Sequence, residues 1–441
     1  MSKKKIFLVI AFILAVIILA YLLYIVFFKP APKEEIVPPE EEGAIPRLPT
    51  TQEEWEQMTI KERAEKGLPL YEWKEEIVSP EELITVPAVP SKPEVPPPLL
   101  PEEVTPEIDE IAQGRQTWVM SASDEPAEFA TLARDGENSL YYNKEEGRFY
   151  SVSPYGERTL LTEDVFPNVS NIVWAPTKDK AILEFPDGFK ISYNFNTKKQ
   201  YSLPTNWEEF SWDSTGSKIV FKAMGDYPET RWLAVAQADG NAAKAIEHMG
   251  DNADKVIVSW SPNQQVIAFS ATGEPRGEFE QEILLIGQYH QNWPALVVDG
   301  RGFEPKWSSS GQKLLYSVYS PDSGYRPSLY LVNAQGEEIG TEKIKLDLFT
   351  WANKCTFNKD DSYVYCAVPR DLEYGVSLVP EVAGPEIDDF YKINTADGTI
   401  SFLAEGAMGG YDVSSIYLSA DESLLYFTDE RTGILKYIKL Q

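Results

Sequence analysis

"VSWSPNQQVIAFSA", Val258 to Ala271, returns with variations at five other places in the chain. "IVWAPTKDKAILEF" starts at Ile172, "FSWDSTGSKIVFKA" at Phe210, "PKWSSSGQKLLYSV" at Pro305, "CTFNKDDSYVYCAV" at Cys355 and "IYLSADESLLYFTD" at Ile416. Each copy reads as a strand ending in Trp or another apolar residue, then a polar turn, then a strand with large apolar residues two apart. In the opening copy these are Trp260, Ile267 and Phe269; elsewhere they are Trp212, Ile219 and Phe221, or Trp307, Leu314 and Tyr316. Spacing of two puts the last pair on one face of a strand. Polar turn residues between two such runs mark a hairpin.

A second hairpin follows several copies: "WLAVAQADGNAAKAI" (Trp232 to Ile246), "SLYLVNAQGEEI" (Ser328 to Ile339) and "FYKINTADGTISFL" (Phe390 to Leu403). One unit is therefore four antiparallel strands. Positions 174, 212, 260, 307, 357 and 418 recur at about 40 to 60 residues, the period of propeller blades. A weaker seventh copy stands in front, with hairpins at Phe129–Asn143 and Arg148–Thr162. The last copy lacks a fourth strand, and an unclosed ring leaves two bare sheet edges. "TWVMSAS", Thr117 to Ser123, is the strand free to complete it. The fold expected over residues 116–441 is an all-β, seven-bladed β-propeller zipped by its N-terminal end, with six or eight blades as the alternatives.

The repeats resemble those of the TolB-like propellers, relatives of the WD repeats. The likeness covers residues 116–441 and implies the fold. The family's namesake works in the periplasm and contacts a peptidoglycan-associated lipoprotein, and the resemblance implies protein binding at the cell envelope. The namesake carries an α/β domain before its propeller, where this chain has other features. Related propellers precede α/β-hydrolase domains in prolyl peptidases; this chain has no G-x-S-x-G motif for a nucleophile.

Those other features concern location. After "MSKKK" (residues 1–5), Ile6 to Phe28 run without a charge, Pro or Gly. A helix of that length spans roughly 34 Å, enough for a bilayer core. The lysines lie before the run and the segment after Lys33 is acidic, so the positive-inside rule places the N-terminus in the cytoplasm and the rest outside. Residues 6–28 are expected to be an uncleaved single-pass signal-anchor in the cell membrane, with the propeller facing the periplasm or cell surface. No Cys follows for lipid attachment. Residues 29–115 form a Pro/Glu-rich spacer of the kind that favours extended polyproline II. Inside it a short helix is expected near 51–66, from the Thr51/Glu54 capping box to Gly67 and Pro69. Trp55, Tyr71 and Trp73 add a docking motif as a second reading of that interval.

The formal net charge is -29, which excludes the basic footprint of a nucleic-acid binder. The chain has two histidines, His248 and His290, and two cysteines. No metal site is expected from so few donors. No cofactor motif and no catalytic motif is present. The function that fits is an interaction scaffold for an envelope protein or cell-wall component. The alternatives are a glycan- or peptide-acting enzyme with carboxylates at the channel mouth, and a carbohydrate-binding module.

Contact residues are expected on the side carrying the long loops, which join the second strand of a blade to the third and one blade to the next. Tyr, Trp and Arg dominate binding energy at interfaces. The contact set is Tyr227, Arg231, Tyr325, Arg326, Arg370 and Tyr374. Trp207, Trp351 and Tyr411, just before inner strands, join it near the channel mouth; Trp207 and Trp351 serve equally well as plugs between blades. Cys355 and Cys366 flank the hairpin turn at Asp360 and Asp361. They stand either as a cross-strand disulfide, favoured outside the cytoplasm, or as two small buried thiols.

Overall fold

The computed structural model describes residues 108–441 apart from 275, 292, 380–383 and 407–408. Seven sheets make up the fold: five are antiparallel meanders of four strands in sequence order, the sixth gains a fifth, parallel strand, and the seventh takes its fourth strand from the N-terminal end. The strands nearest the centre are Glu128–Leu132, Asn171–Trp174, Trp207–Trp212, Val256–Val258, Arg301–Trp307, Cys355–Phe357 and Val413–Leu418, for blades 1 to 7 in that order. The protein is a seven-bladed β-propeller, and the alternatives of six and eight blades fall away.

The repeated letters have a structural meaning at the turn between the first two strands. The residue after the Trp position turns its side-chain oxygen back to accept the N–H that opens the second strand. Asp213 receives Lys218 N (2.8 Å), Ser261 receives Val266 N (2.9 Å), Ser308 receives Lys313 N (3.0 Å), Asn358 receives Tyr363 N (2.9 Å) and Ser419 receives Leu424 N (3.0 Å). Only short side chains reach their own backbone in this way. Three residues after that position the backbone is left-handed in every blade, including the first two, where Ala133 and Ala175 take the place of a capping residue: Gly136, Lys178, Gly216, Gln264, Gly311, Asp361 and Glu422, with φ between 59° and 81°. The turn geometry is thus fixed more strictly than its sequence.

The Trp itself stitches blades together. Trp174 Nε1 donates to Phe129 O of blade 1, and Trp212 Nε1 to Val173 O of blade 2, both at 2.9 Å. The core lies between blades rather than in one centre. Between blades 4 and 5 it holds Phe269, Phe303, Trp307 and Tyr316. Each large side chain removed from water there contributes about 1.5 to 3 kcal/mol.

Closure uses the N-terminal end, with a corrected register. The closing strand is Met120–Pro126, three residues later than expected, antiparallel to Ile434–Lys439 of blade 7. Leu435 N donates to Ser123 Oγ at 3.0 Å across the seam. The shift arises because Arg115–Thr117 forms a separate strand, parallel to Ile400–Gly406, as a fifth strand of blade 6. Earlier still, Ile111 bridges to Lys439, and Ala112 is buried in the core between blades 6 and 7. Among the described residues no helix is long and apolar enough to cross a membrane. The expected anchor at 6–28, and the spacer helix near 51–66, lie outside the described residues.

Candidate functional site

The tight turns gather on one face of the disc, and the loops after second strands and between blades gather on the other. The loop face offers two features, an aromatic surface and the channel mouth.

The aromatic surface comes from three blades. Tyr325, from the loop of blade 5, packs edge-on against Phe279 of blade 4 (ring centroids 5.9 Å) and Tyr374 of blade 6 (5.6 Å). Backbone bonds lock the loops together: Gly375 N to Gly324 O at 2.9 Å and Ser377 N to Tyr325 O at 3.1 Å. Tyr325 itself is left-handed, with φ 55°. Arg301 ties the third loop down, donating to the carbonyls of Glu278 (2.7 Å) and Gly277 (3.1 Å). Tyr374 stays 71% exposed, with Leu378 and Val379 exposed beside it. A cleft of about 370 Å³ adjoins Tyr374, lined also by Glu373, Val376, Val379 and Glu386.

The arginines expected on this face are already engaged. Arg370 gives two hydrogen bonds to Asp389 Oδ1 (2.9 and 2.7 Å) and lies 3.7 Å from Glu405. Arg326 Nε donates to Leu372 O at 2.7 Å, holding the blade 6 loop. Arg231 Nε reaches Gly225 O of its own loop at 3.3 Å. All three brace the loops, and the Arg370 side chain is still 38% exposed. Tyr227 is 70% exposed at the tip of its loop and remains available.

At the mouth, Trp351 is half-buried and lines a cavity of about 580 Å³ with Lys354, Glu386, Asp412, Glu430 and Arg431. Lys354 bonds Asp388 (2.9 Å) and Asp412 (3.3 Å), a buried ion triad between blades 6 and 7. Asp388 also accepts Val413 N at 2.7 Å. Burial nonetheless pushes the Asp388 carboxyl up to about 6, against the pull of Lys354. Burial raises Glu386 as well. Lys354 and Glu430 continue into a second cavity of about 610 Å³, the channel proper, walled by Ala130, Thr131, Lys306, Thr356 and Val413 to Tyr417.

Two aromatic expectations change. Trp207 is buried and stacked on Phe221 at 3.7 Å, so it is a core residue and not a contact. Tyr411 is half-buried against Phe427 (5.5 Å), and its carbonyl accepts Asp388 N at 2.9 Å; it braces the triad. Cys355 and Cys366 lie directly opposite each other on adjacent strands, with Cα atoms 4.1 Å apart, and are joined as a disulfide. Sequence reasoning missed Phe279, Lys354, Glu386, Asp388 and Asp412. Nothing in "WANKC" or "PEIDDF" distinguishes a buried ion triad from solvated loop charges. Among the described residues no cluster of three or more His, Cys, Asp or Glu is arranged to hold a metal ion.

No protein-family model matches the chain, and no curated protein matches it. Solved structures do. An oligogalacturonate lyase in complex with manganese shares 15% identity over 73% of this chain and 91% of its own, with a TM-score of 0.50. The oligogalacturonate lyase of Vibrio parahaemolyticus shares 12% identity over the same shares of each chain, with a TM-score of 0.49. The Cps50 (Swd1) β-propeller domain of Myceliophthora thermophila shares 10% over 73% of this chain and all of its own, at 0.46. At such identities the likeness is one of fold, and the fold is the β-propeller.

Proposed function

We propose that this chain is a membrane-anchored scaffold of the cell envelope, a TolB-like propeller that docks a protein or cell-wall partner on its loop face. One observation carries the reading: Phe279, Tyr325 and Tyr374 come from three blades to form one braced aromatic surface. Rigid aromatic side chains on a fixed scaffold are the usual anchors of an interface, because ordering them costs little entropy. The acidic residues around Tyr374, Glu373 and Glu386 among them, favour a neutral or basic partner. The lysines before residue 6 and the apolar run after it support an extracytoplasmic position.

Crosslinking in intact cells, with partners identified by mass spectrometry, tests this reading. Tyr374→Ala combined with Tyr227→Ala should lose the crosslinked partner at unchanged protein level. Capture that survives these changes but fails when the Thr50–Pro69 segment is altered would move the binding function to the spacer.

A second reading has its own support. Glu386, raised by burial, lines a cavity with Trp351, Asp412 and Glu430, carboxylates of the kind that do acid–base work on a glycan or peptide. Turnover of cell-wall glycans or peptides, abolished by Glu386→Gln, would establish the enzyme; absence of turnover leaves the scaffold.

A further inference from the structure

The turns on the turn face join hands from blade to blade through the left-handed residue. Gln264 Nε2 reaches Ser214 of the preceding turn, Asp361 accepts from Ser310, and Glu422 accepts Lys359 N at 2.9 Å. Blades 1, 3 and 5 place Gly at the same position. Lys178 in blade 2 makes the same link to the preceding blade with a cation. Its φ is 60°, a strained setting for a long side chain, and its ammonium donates to Thr131 Oγ1 on the channel wall at 2.7 Å. No other acceptor lies within hydrogen-bond reach of it among the described residues.

Lys306, on the innermost strand of blade 5, lines the same channel. Among the described residues its ammonium has neither a hydrogen-bond acceptor nor a carboxylate within salt-bridge distance. Burial lowers the basicity of both groups, and the charge of Lys306 lowers Lys178 further, to about 8. Glu304, two residues along the strand, attracts Lys306, and burial raises its own carboxyl. The remaining charges nearby are spoken for: Asp179 by Thr177 and Lys180, Lys354 by Asp388 and Asp412. Backbone strain, desolvation and like-charge proximity all oppose this pair, in a chain of net charge -29. Two half-buried ammonium groups with no carboxylate at salt-bridge distance among the described residues are an unfavourable arrangement for stability and a favourable one for binding an anion.

We infer that the channel is a binding site for a small oxyanion, a carboxylate or phosphate group, held by Lys306 and Lys178 with the hydroxyls of Thr131 and Thr356. The site is separate from the aromatic loop surface, so each stands or falls without the other. The cavity of about 610 Å³ admits such a group together with a short carbon chain. Glu430 and the Lys354 triad lie toward the loop face, so the anionic end of the ligand enters first and its neutral or cationic part lies toward the mouth.

Calorimetric titration of the full-length protein at pH 7 tests this, with inorganic phosphate and succinate as separate probes at matched ionic strength. At least one should bind saturably, and which one identifies the anion. Lys306→Met and Lys178→Gly should each weaken that binding roughly tenfold or more, the loss expected for a charged hydrogen bond. Affinity should fall as pH rises past about 8, where Lys178 loses its proton. Lys178→Gly should also raise the thermal midpoint, because Gly suits the left-handed turn and removes a desolvated charge. Thr131→Val keeps both charges and should bind with intermediate affinity. Failure of both probes to bind, unchanged binding in Lys306→Met, or a lowered midpoint in Lys178→Gly would overturn the inference; the last result would make Lys178 a structural brace.

Discussion

The two faces of the disc are built by opposite rules. On the turn face, seven turns share a left-handed residue at one position, and five share a side-chain cap, so variation in sequence leaves the backbone unchanged. On the loop face no two second-strand loops are alike, and order comes from contacts between loops, such as Arg326 to Leu372 and Gly375 to Gly324. Local rules repeated around a ring hold the scaffold. Single-use contacts between distant segments make the working surface. Such surfaces tolerate change because the frame does not depend on them.

The sharpest break in that comparison lies where the loop face buries charge. Lys354→Met strands Asp388 and Asp412 in the blade 6–7 junction, and removing one partner of a buried ion group costs about 3 to 5 kcal/mol. Differential scanning calorimetry should show a drop larger than any other single change on this face. Next comes the disulfide of blade 6. Its closed loop is short, with a separation of 11 residues. Replacing both cysteines by Ala should lower stability by about 2 to 3 kcal/mol in the chain-entropy model. Alkylation of unreduced protein followed by mass measurement should label neither thiol; two labels would place the pair as free thiols.

The turn face should respond in smaller, regular steps. Asp213 accepts from Ser217 N (2.7 Å) and Lys218 N (2.8 Å), and Asp213→Ala should cost about 1 to 2 kcal/mol in urea unfolding, the worth of a lost cap. Acid should produce a change of about 1 kcal/mol at the junction. Asp388 has a folded value of about 6, above the ordinary carboxylate range, so the native state binds the extra proton between that range and pH 6. Its contribution to stability therefore falls as pH rises toward 6 and is largest below it. Moving from pH 7 to pH 5 should stabilise the wild type through this group, and Asp388→Asn should remove that part of the slope. The smallest effect on stability is expected at Tyr374. It is 71% exposed, and Tyr374→Ala should shift the midpoint by under about 0.5 kcal/mol while partner capture is lost.

The blade count, the order of the strands and the N-terminal zip were legible because they rest on local, periodic signals: apolar residues two apart, a short cap and a tight turn. The register of the closing strand was not, because "GRQTWVMSASDEP" contains two strands and only their partners divide it. Tyr227 and Tyr374 were visible as aromatic loop tips. The engagement of Arg370 was hidden, since its partner Asp389 lies 19 residues on, and that of Arg326 reaches Leu372, 46 residues away. Trp207 differs from Trp351 in stacking on Phe221 of its own blade, a contact the sequence spacing does not reveal. Lys178 and Lys306 read as ordinary solvated lysines in "TKDK" and "PKW"; their meaning comes from a channel that exists only when seven blades meet.

The seam at Ser123 and Leu435 has a consequence for the order of events during synthesis. These two residues are 312 positions apart in the chain. Blades can form one after another as the ribosome delivers them, since each is a local meander. The first strand of the seal must nevertheless wait, unpaired, until the last blade emerges. Every chain interrupted before Ile434 keeps an open edge on each side of its unfinished ring, and such edges are the surfaces that quality-control factors recognise and that aggregation exploits. Completion of the ring is therefore also a proofreading step, because only a chain that reaches the last blade can pair the waiting N-terminal strand.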